Sequence, residues 1–317
     1  MEYMRLAVTD RCNLRCFYCM PHYGAEFVPR KELLTYEEML RLTRIMVGLG
    51  VNKVRITGGE PFVRKNMYGF LKRLAKIEGL EQISITTNGA VANRHIPFLK
   101  EIGIHSINLS LDTLDKQRFE AITRRDFFDQ AMSTYRAVLD AGMNLKVNMV
   151  VMADRNREDI VPMAMLTRHD NVNVRFIEEM PFNGEGARDI KIMNHIDILN
   201  HLKEHLPALT RLEDPKGNTS ANYKIAGHKG TVGIIAAYSR TFCNDCNRIR
   251  ITATGQLINC LYDEGVLNLK RMLSDGSSDQ MIIEAIQLAY GKKYKDGFEA
   301  EKHRTNTISE SMSSIGG

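Results

Sequence analysis

With 317 residues, 44% of them hydrophobic and 26% charged, the chain can build one large domain with an extension or two modest domains; it is not the composition of a disordered or fibrous protein. The formal net charge of +5 is mild and is not gathered into a basic tail, so it suits a small anionic substrate as well as a nucleic acid. No apolar run reaches the roughly 18 residues that a membrane helix needs, and M-E-Y-M-R-L-A-V-T-D lacks the regions of a signal peptide, so a cytoplasmic protein without membrane association is expected.

In chain order, β-rich runs stand at 5–9, 53–57, 83–87, 106–111, 145–151 and 172–177. Helical patterns at 35–49, 66–77, 93–102, 127–141 and 157–168 separate them. Thr35 with Glu38 fits a capping box. Gly142 is placed to end the fourth of these helices in a left-handed turn.

Strand and helix alternate about six times, which predicts a parallel sheet with helical crossovers. Six units are too few for a closed eight-stranded barrel. The expected fold is α/β, a partial (βα)6 TIM-like barrel, with a doubly wound sheet as the alternative. Thr57, Thr86, Ser110, Asn148 and Glu178 gather near the carboxyl ends of the strands, the edge that carries the site in such proteins.

Beyond residue 180 the rhythm stops. A turn at 181–186 is followed by a helix at 195–205, an exposed loop at 214–220, and short strands at 223–226 and 231–236. A boundary near 185 divides a barrel, 1–185, from a C-terminal region, 186–317.

The six cysteines fall into two sets of three. Without an export signal, disulfides are not expected. Cys12, Cys16 and Cys19 are spaced C-x3-C-x2-C, one ligand short of a structural zinc site; His22 could supply the fourth. A four-iron cubane also takes soft thiolates, and three of them leave one iron open. Cys243, Cys246 and Cys260 are spaced C-x2-C-x13-C and are again three. Zinc there could recruit His228, and a zinc knuckle in a nucleic-acid binder is a rival reading. The repeated shortage suggests two clusters, each with an open position. Arg248 and Arg250 alternate beside the second set, so they share a face of an extended strand. Their guanidinium forks suit phosphate oxygens.

The first set, with Tyr18 before the last cysteine, resembles the signature of the radical S-adenosylmethionine (SAM) superfamily. The resemblance implies that SAM binds the open iron and is cleaved to a 5′-deoxyadenosyl radical. I-T-G-G-E-P, 56–61, agrees: Gly58 and Gly59 let backbone approach a ligand, and Glu60 could accept from the methionine ammonium. By the same resemblance Thr87, Ser110 and Met180 also contact SAM.

Four longer stretches narrow the likeness: T-D-R-C-N-L-R-C-F-Y-C-M-P, V-R-I-T-G-G-E-P, V-R-F-I-E-E-M and F-C-N-D-C-N-R-I-R-I-T-A-T-G-Q-L-I-N-C-L. Together with the final G-G, they resemble the GTP 3′,8-cyclase family of molybdenum cofactor biosynthesis, from Leu6 to Gly317. This implies a lyase with two 4Fe–4S clusters, each on one cysteine set. The radical would take the C3′ hydrogen of GTP, which cyclises to (8S)-3′,8-cyclo-7,8-dihydroguanosine 5′-triphosphate. The second cluster would hold the guanine.

Carried over by position, Arg5, Lys53, Arg55, Lys146, Arg175, Arg248 and Arg250 form the substrate shell. Arg248, Arg250, Gly316 and Gly317 act in catalysis. The implied partners are GTP, an electron donor and a downstream cyclic pyranopterin monophosphate synthase; a homodimer is allowed and no nucleic acid is needed. The alternatives are another two-cluster radical SAM enzyme, such as a peptide-modifying one, and a non-enzymatic zinc or nucleic-acid-binding protein.

Overall fold

Alternation along the parallel strands places apolar side chains on one face and polar ones on the other. In β1 (Tyr3–Ala7) and β2 (Lys53–Thr57) the fully buried Met4, Leu6, Val54 and Ile56 belong to the main core, while Tyr3, Arg5 and Arg55 line a cavity. The pattern continues through β3 (Gln82–Thr87), β4 (Ser106–Ser110), β5 (Asn144–Val151) and β6 (Val172–Glu178). These observations come from a computed structural model, which describes all residues except 22–25, 183–190, 216, 244–245, 307–309 and 317.

Six helices fill the crossovers: α1 (Tyr36–Gly48), α2 (Met67–Leu74), α3 (Ile96–Glu101), α4 (Lys116–Thr123), α5 (Phe128–Asp140) and α6 (Ile160–Met165). Helix α1 starts at the expected capping box: Thr35 Oγ1 accepts from Glu38 N at 3.1 Å, and Glu38 Oε2 accepts from Thr35 N at 2.6 Å. It buries Met39, Leu40, Leu42, Ile45 and Met46 against the sheet. Each such side chain contributes about 2 kcal/mol of transfer free energy. Helix α5 ends as expected at Gly142, φ +64°. Helix α4 was not anticipated. Its stretch K-Q-R-F-E-A-I-T is mostly polar, and only Phe119 and Ile122 offer apolar burial.

After α6 come α7 (His195–His205), β7 (Leu209–Arg211), β8 (Ala221–Ile225), β9 (Thr231–Ile235), β10 (Arg248–Ile251), β11 (Gln256–Ile258) and β12 (Leu267–Asn268). Four helices follow: α8 (Leu269–Ser274), the longer α9 (Asp279–Gly291), α10 (Gly297–Lys302) and α11 (Met312–Ile315). All twelve strands form one sheet, β12-β11-β10-β1-β2-β3-β4-β5-β6-β9-β8-β7. Strand β10 runs parallel to β1 and β9 parallel to β6. The six-unit partial barrel is thus extended by one parallel strand at each edge, both from the region after 180.

The expected exposed loop at 214–220 differs in the structure. Ser220 is 3% exposed, because Asn218 and Asn222 turn their amides onto Asp214 at 3.2 and 2.5 Å and fold the segment against the sheet.

Candidate active site

All six cysteines line a single cavity of about 300 Å³. The first set follows β1 in a tight loop, where Cys19 N and Met20 N both donate to Cys16 O at 3.0 Å. Cys12 Sγ accepts from Leu14 N at 3.4 Å and from Asn88 Nδ2 at 3.5 Å. Burial, with the like charge of nearby thiols and carboxylates, pushes Cys12 up to about 11 and Cys19 up to about 12, and raises Cys16 strongly. Three convergent, unbridged thiols that keep their protons at neutral pH are a donor set that a thiophilic metal centre would deprotonate on binding.

The G-G-E-P segment is stitched to this loop. Gly59 N donates to Thr9 O and Glu60 N to Arg11 O, both at 2.8 Å. A Cβ on Gly59 would lie 2.3 Å from Arg11 O, and one on Gly58, φ +142°, 2.3 Å from Thr9 O. Only glycine allows that approach. Glu60 stands behind the cavity wall, fully buried. Its carboxylate accepts from Phe62 N at 3.1 Å, Thr87 Oγ1 at 2.9 Å and Asn88 N at 2.7 Å. Burial outweighs these bonds and lifts it to about 7.

Tyr18, Gly58, Gly59, Thr87, Ser110 and Met180 all line the cavity. The S-L-D stretch, 110–112, expected by resemblance to line this pocket, ends in Asp112, which lines it and fixes two parts of its wall: it accepts from Tyr18 Oη and from Val150 N, both at 2.8 Å. Burial raises Asp112 to about 6.

At the second set, burial raises Cys243 and Cys260. For Cys246 burial is outweighed by Arg248 and Lys293, which bring it down to about 7. Lys293 Nζ donates to Cys246 O at 2.6 Å and Arg248 O at 3.1 Å; no motif in the sequence announced it. His228 cannot be the extra zinc ligand considered above. It bonds Thr167 Oγ1 at 2.8 Å in the turn that precedes β9, and it does not line the cavity that holds the cysteines. His22 lies outside the described residues.

Six arginines line the same cavity. Arg240 pairs with Glu301 at 2.7 Å; the other five are Arg5, Arg55, Arg175, Arg248 and Arg250. Arg5 lies in register with Arg55 on one side and Arg250 on the other. Among the described residues none of the five has a carboxylate within ion-pair distance. Burial pulls Arg5 and Arg175 down to about 10. Unpaired buried cations are costly, so this wall favours an anion.

Lys53 and Lys146 line a second cavity, of about 360 Å³, with Gln82, Ser84, His105 and Asn173. It lies toward the amino ends of the strands. The two cavities share one field: burial, then Arg175, Arg55 and Lys53, bring Lys146 down to about 7.

The segment 311–316 closes one side of the main cavity. Ser311 Oγ donates to Cys19 O at 2.5 Å, Met312 N to Phe182 O at 3.1 Å, and Arg250 Nη1 to Gly316 O at 2.9 Å. Gly316 has φ +78°, and a Cβ there would meet Thr57 Oγ1 at 2.8 Å. Gly317 lies outside the described residues.

Comparison with known proteins gives the class. Residues 6–166 match the radical SAM superfamily model and residues 172–298 the model described as Molybdenum Cofactor Synthesis C. The solved structure of Streptococcus suis SuiB bound to S-adenosylmethionine shares the fold, with a TM-score of 0.63 at 14% identity, covering 91% of this chain and 64% of that one.

GTP 3′,8-cyclase of Moorella thermoacetica is 37% identical over 320 residues, covering 100% of this chain and 98% of that protein. Molybdenum cofactor biosynthesis protein 1 of Dictyostelium discoideum is 40% identical over 295 residues, 92% of this chain and 47% of that protein, so the chain spans about half its length. The chain belongs to the radical SAM superfamily and, within it, to the family that includes the Moorella cyclase.

Proposed function

We propose that the chain is a radical SAM GTP 3′,8-cyclase acting early in molybdenum cofactor biosynthesis. The observation that carries the reading is the meeting, in one cavity, of both cysteine sets and five arginines that no described carboxylate pairs. Cys12, Cys16 and Cys19 would hold one four-iron cluster, and Cys243, Cys246 and Cys260 a second. The donor sets fit, being soft, convergent and free of disulfides. Held there, the first cluster would supply the electron that cleaves SAM.

The chain's own residues do the positioning. Tyr18, held by Asp112, and the backbone of Gly58 and Gly59 shape the SAM wall with Thr87, Ser110 and Met180. Glu60 acts through Thr87 and Asn88. Arg5, Arg55, Arg175, Arg248 and Arg250 take the triphosphate, with Lys53 and Lys146 adding positive field. A triphosphate carries about four negative charges, and a cavity of low dielectric strengthens their attraction to the wall. The held ribose would expose C3′ to the 5′-deoxyadenosyl radical that SAM cleavage supplies; once the C3′ hydrogen has left as 5′-deoxyadenosine and C3′ has closed onto C8, one electron from the donor and one proton would complete the 3′,8-cyclised dihydroguanosine triphosphate. Gly316 places the 311–316 segment against both Arg250 and the Cys19 loop.

Residues 1–185 serve SAM in this reading and 186–317 serve the second cluster and the base. The chain works in the cytoplasm with an electron donor, and a cyclic pyranopterin monophosphate synthase takes its product. Among the described residues no helix is long and apolar enough to cross a membrane.

The test is anaerobic turnover of the reconstituted protein with SAM, dithionite and GTP. The reading requires 5′-deoxyadenosine and a cyclised nucleotide that acid converts to a fluorescent pterin. Deoxyadenosine without pterin would reject GTP as the substrate.

A further inference from the structure

Tyr3 stands in the middle of the cation wall and has no part in the reaction above. It lies on β1 two residues before Arg5, on the same face. In register it is flanked by Arg248 of β10 on one side and Lys53 of β2 on the other. Lys53 Nζ is 5.4 Å and the Arg55 guanidinium carbon 5.5 Å from its ring centroid. Its hydroxyl oxygen is screened from solvent and makes no hydrogen bond of good geometry with a described residue, although the Arg5 guanidinium adjoins it. The charged groups that act on Tyr3 are all cations: Arg5 from its own strand, Arg55 from β2 and Arg248 from β10. Tyr3 in turn acts on Lys53 and on Arg175 of β6.

We propose that in mildly alkaline solution Tyr3 ionises to become the built-in counter-anion of this wall, and that a phosphate-bearing ligand takes over that role by driving a proton onto the phenolate. The inference rests on the reading of the wall as a triphosphate site and adds a proton to the binding step. Burial alone would keep the phenol neutral, but Arg55, Arg5 and Arg248 outweigh it and bring Tyr3 down to about 8. A phenolate among guanidiniums offsets charge that the described carboxylates leave unpaired. Facing a phosphate, the same phenolate repels, whereas the neutral phenol donates a hydrogen bond to a phosphate oxygen.

The step is a protonation: one proton from solvent joins the phenolate oxygen and no electron moves. Because the anion raises the phenol's pKa, binding takes up a proton between pH 8 and the higher value of the complex. Affinity therefore falls as pH rises above 8, by about fivefold between pH 8 and 9. Lys146, at about 7, takes up a proton in the same event but centred lower, so a comparison with Tyr3→Phe isolates the phenol.

The experiment uses the reconstituted holoenzyme and inorganic triphosphate. Calorimetric titration at pH 8.5 in two buffers of different ionisation enthalpy gives the proton uptake. Wild type should take up most of one proton more than Tyr3→Phe, and a near-ultraviolet tyrosinate band should vanish on binding in wild type alone. Equal uptake by the two proteins, or no tyrosinate band in the free wild type, overturns the proposal. Triphosphate binding with the extra proton but no turnover of GTP would keep it and reject the cyclase reading. Turnover of GTP with equal uptake would do the reverse.

Discussion

Arg250 Nη1 donates to the carbonyl oxygen of Gly316 at 2.9 Å, which ties a wall of the cavity to a segment that also touches the Cys19 loop. The bond gives Gly316 a role that alanine cannot fill, since φ is +78° and a Cβ would lie 2.8 Å from Thr57 Oγ1. Gly316→Ala should displace 311–316 and lower cyclised product on the order of 100-fold, the scale of one lost donor in a preorganised site. Hydrogen exchange should show 311–316 opening with the rest of the fold unchanged. Unchanged turnover would remove the segment from the mechanism.

The two cysteine sets should fail differently. Cys16→Ala should abolish 5′-deoxyadenosine formation. Cys260→Ala should leave it while removing the cyclised nucleotide, and iron should drop from about eight to about four per chain in both. Identical losses of both products would reject the division of roles between the sets.

Arg55 has been placed where function costs stability. Arg55→Met keeps much of the side-chain stem and removes one of five crowded guanidiniums. Urea unfolding without nucleotide should show the variant more stable by about 1–2 kcal/mol. Its affinity for GTP should fall at least tenfold, on the order of one charge-assisted hydrogen bond. A destabilised variant would mean the wall carries no excess repulsion.

Glu60 gives a pH signature. Its folded value, about 7, lies above the ordinary 4.5, so the folded state holds this proton more tightly than the unfolded chain. The stability it confers is complete below pH 4.5 and is lost as pH rises through 7. Chemical denaturation should show a fall on the order of 3 kcal/mol across that window, and Glu60→Gln should reduce it. A wild-type curve that rises there would mean the hydrogen bonds from Phe62, Thr87 and Asn88 outweigh burial.

The barrel strands and their helices were legible because each carries a period of its own. K-V-R-I-T at 53–57 became β2 without a change of boundary, and Thr35 with Glu38 marked the start of α1. Strand β10 was legible only as two alternating arginines, because its partner β1 lies at the other end of the chain. The cysteines declared themselves by spacing. Lys293 did not, nor did the hold that Asp112 of the S-L-D stretch has on Tyr18, since each acts through a contact between segments far apart in sequence, Tyr18 with Asp112 and Cys246 with Lys293. Thr219 of the supposed exposed loop lines the cavity for the same kind of reason.

The parallel pairing of β1 with β10, Tyr3 beside Arg248 and Leu6 beside Ile251, has a consequence for biosynthesis. A ribosome delivers β1 first and its outer neighbour long afterwards, so one edge of the growing sheet waits open through most of translation. Pairings between such distant segments close slowly, and an uncovered edge is prone to misassembly during that wait. The second thiol set arrives just before and after that late strand, at Cys246 and Cys260. If both sets hold iron as proposed, metal arriving before β10 docks would meet the first three thiols while the second three still lacked their place in the sheet.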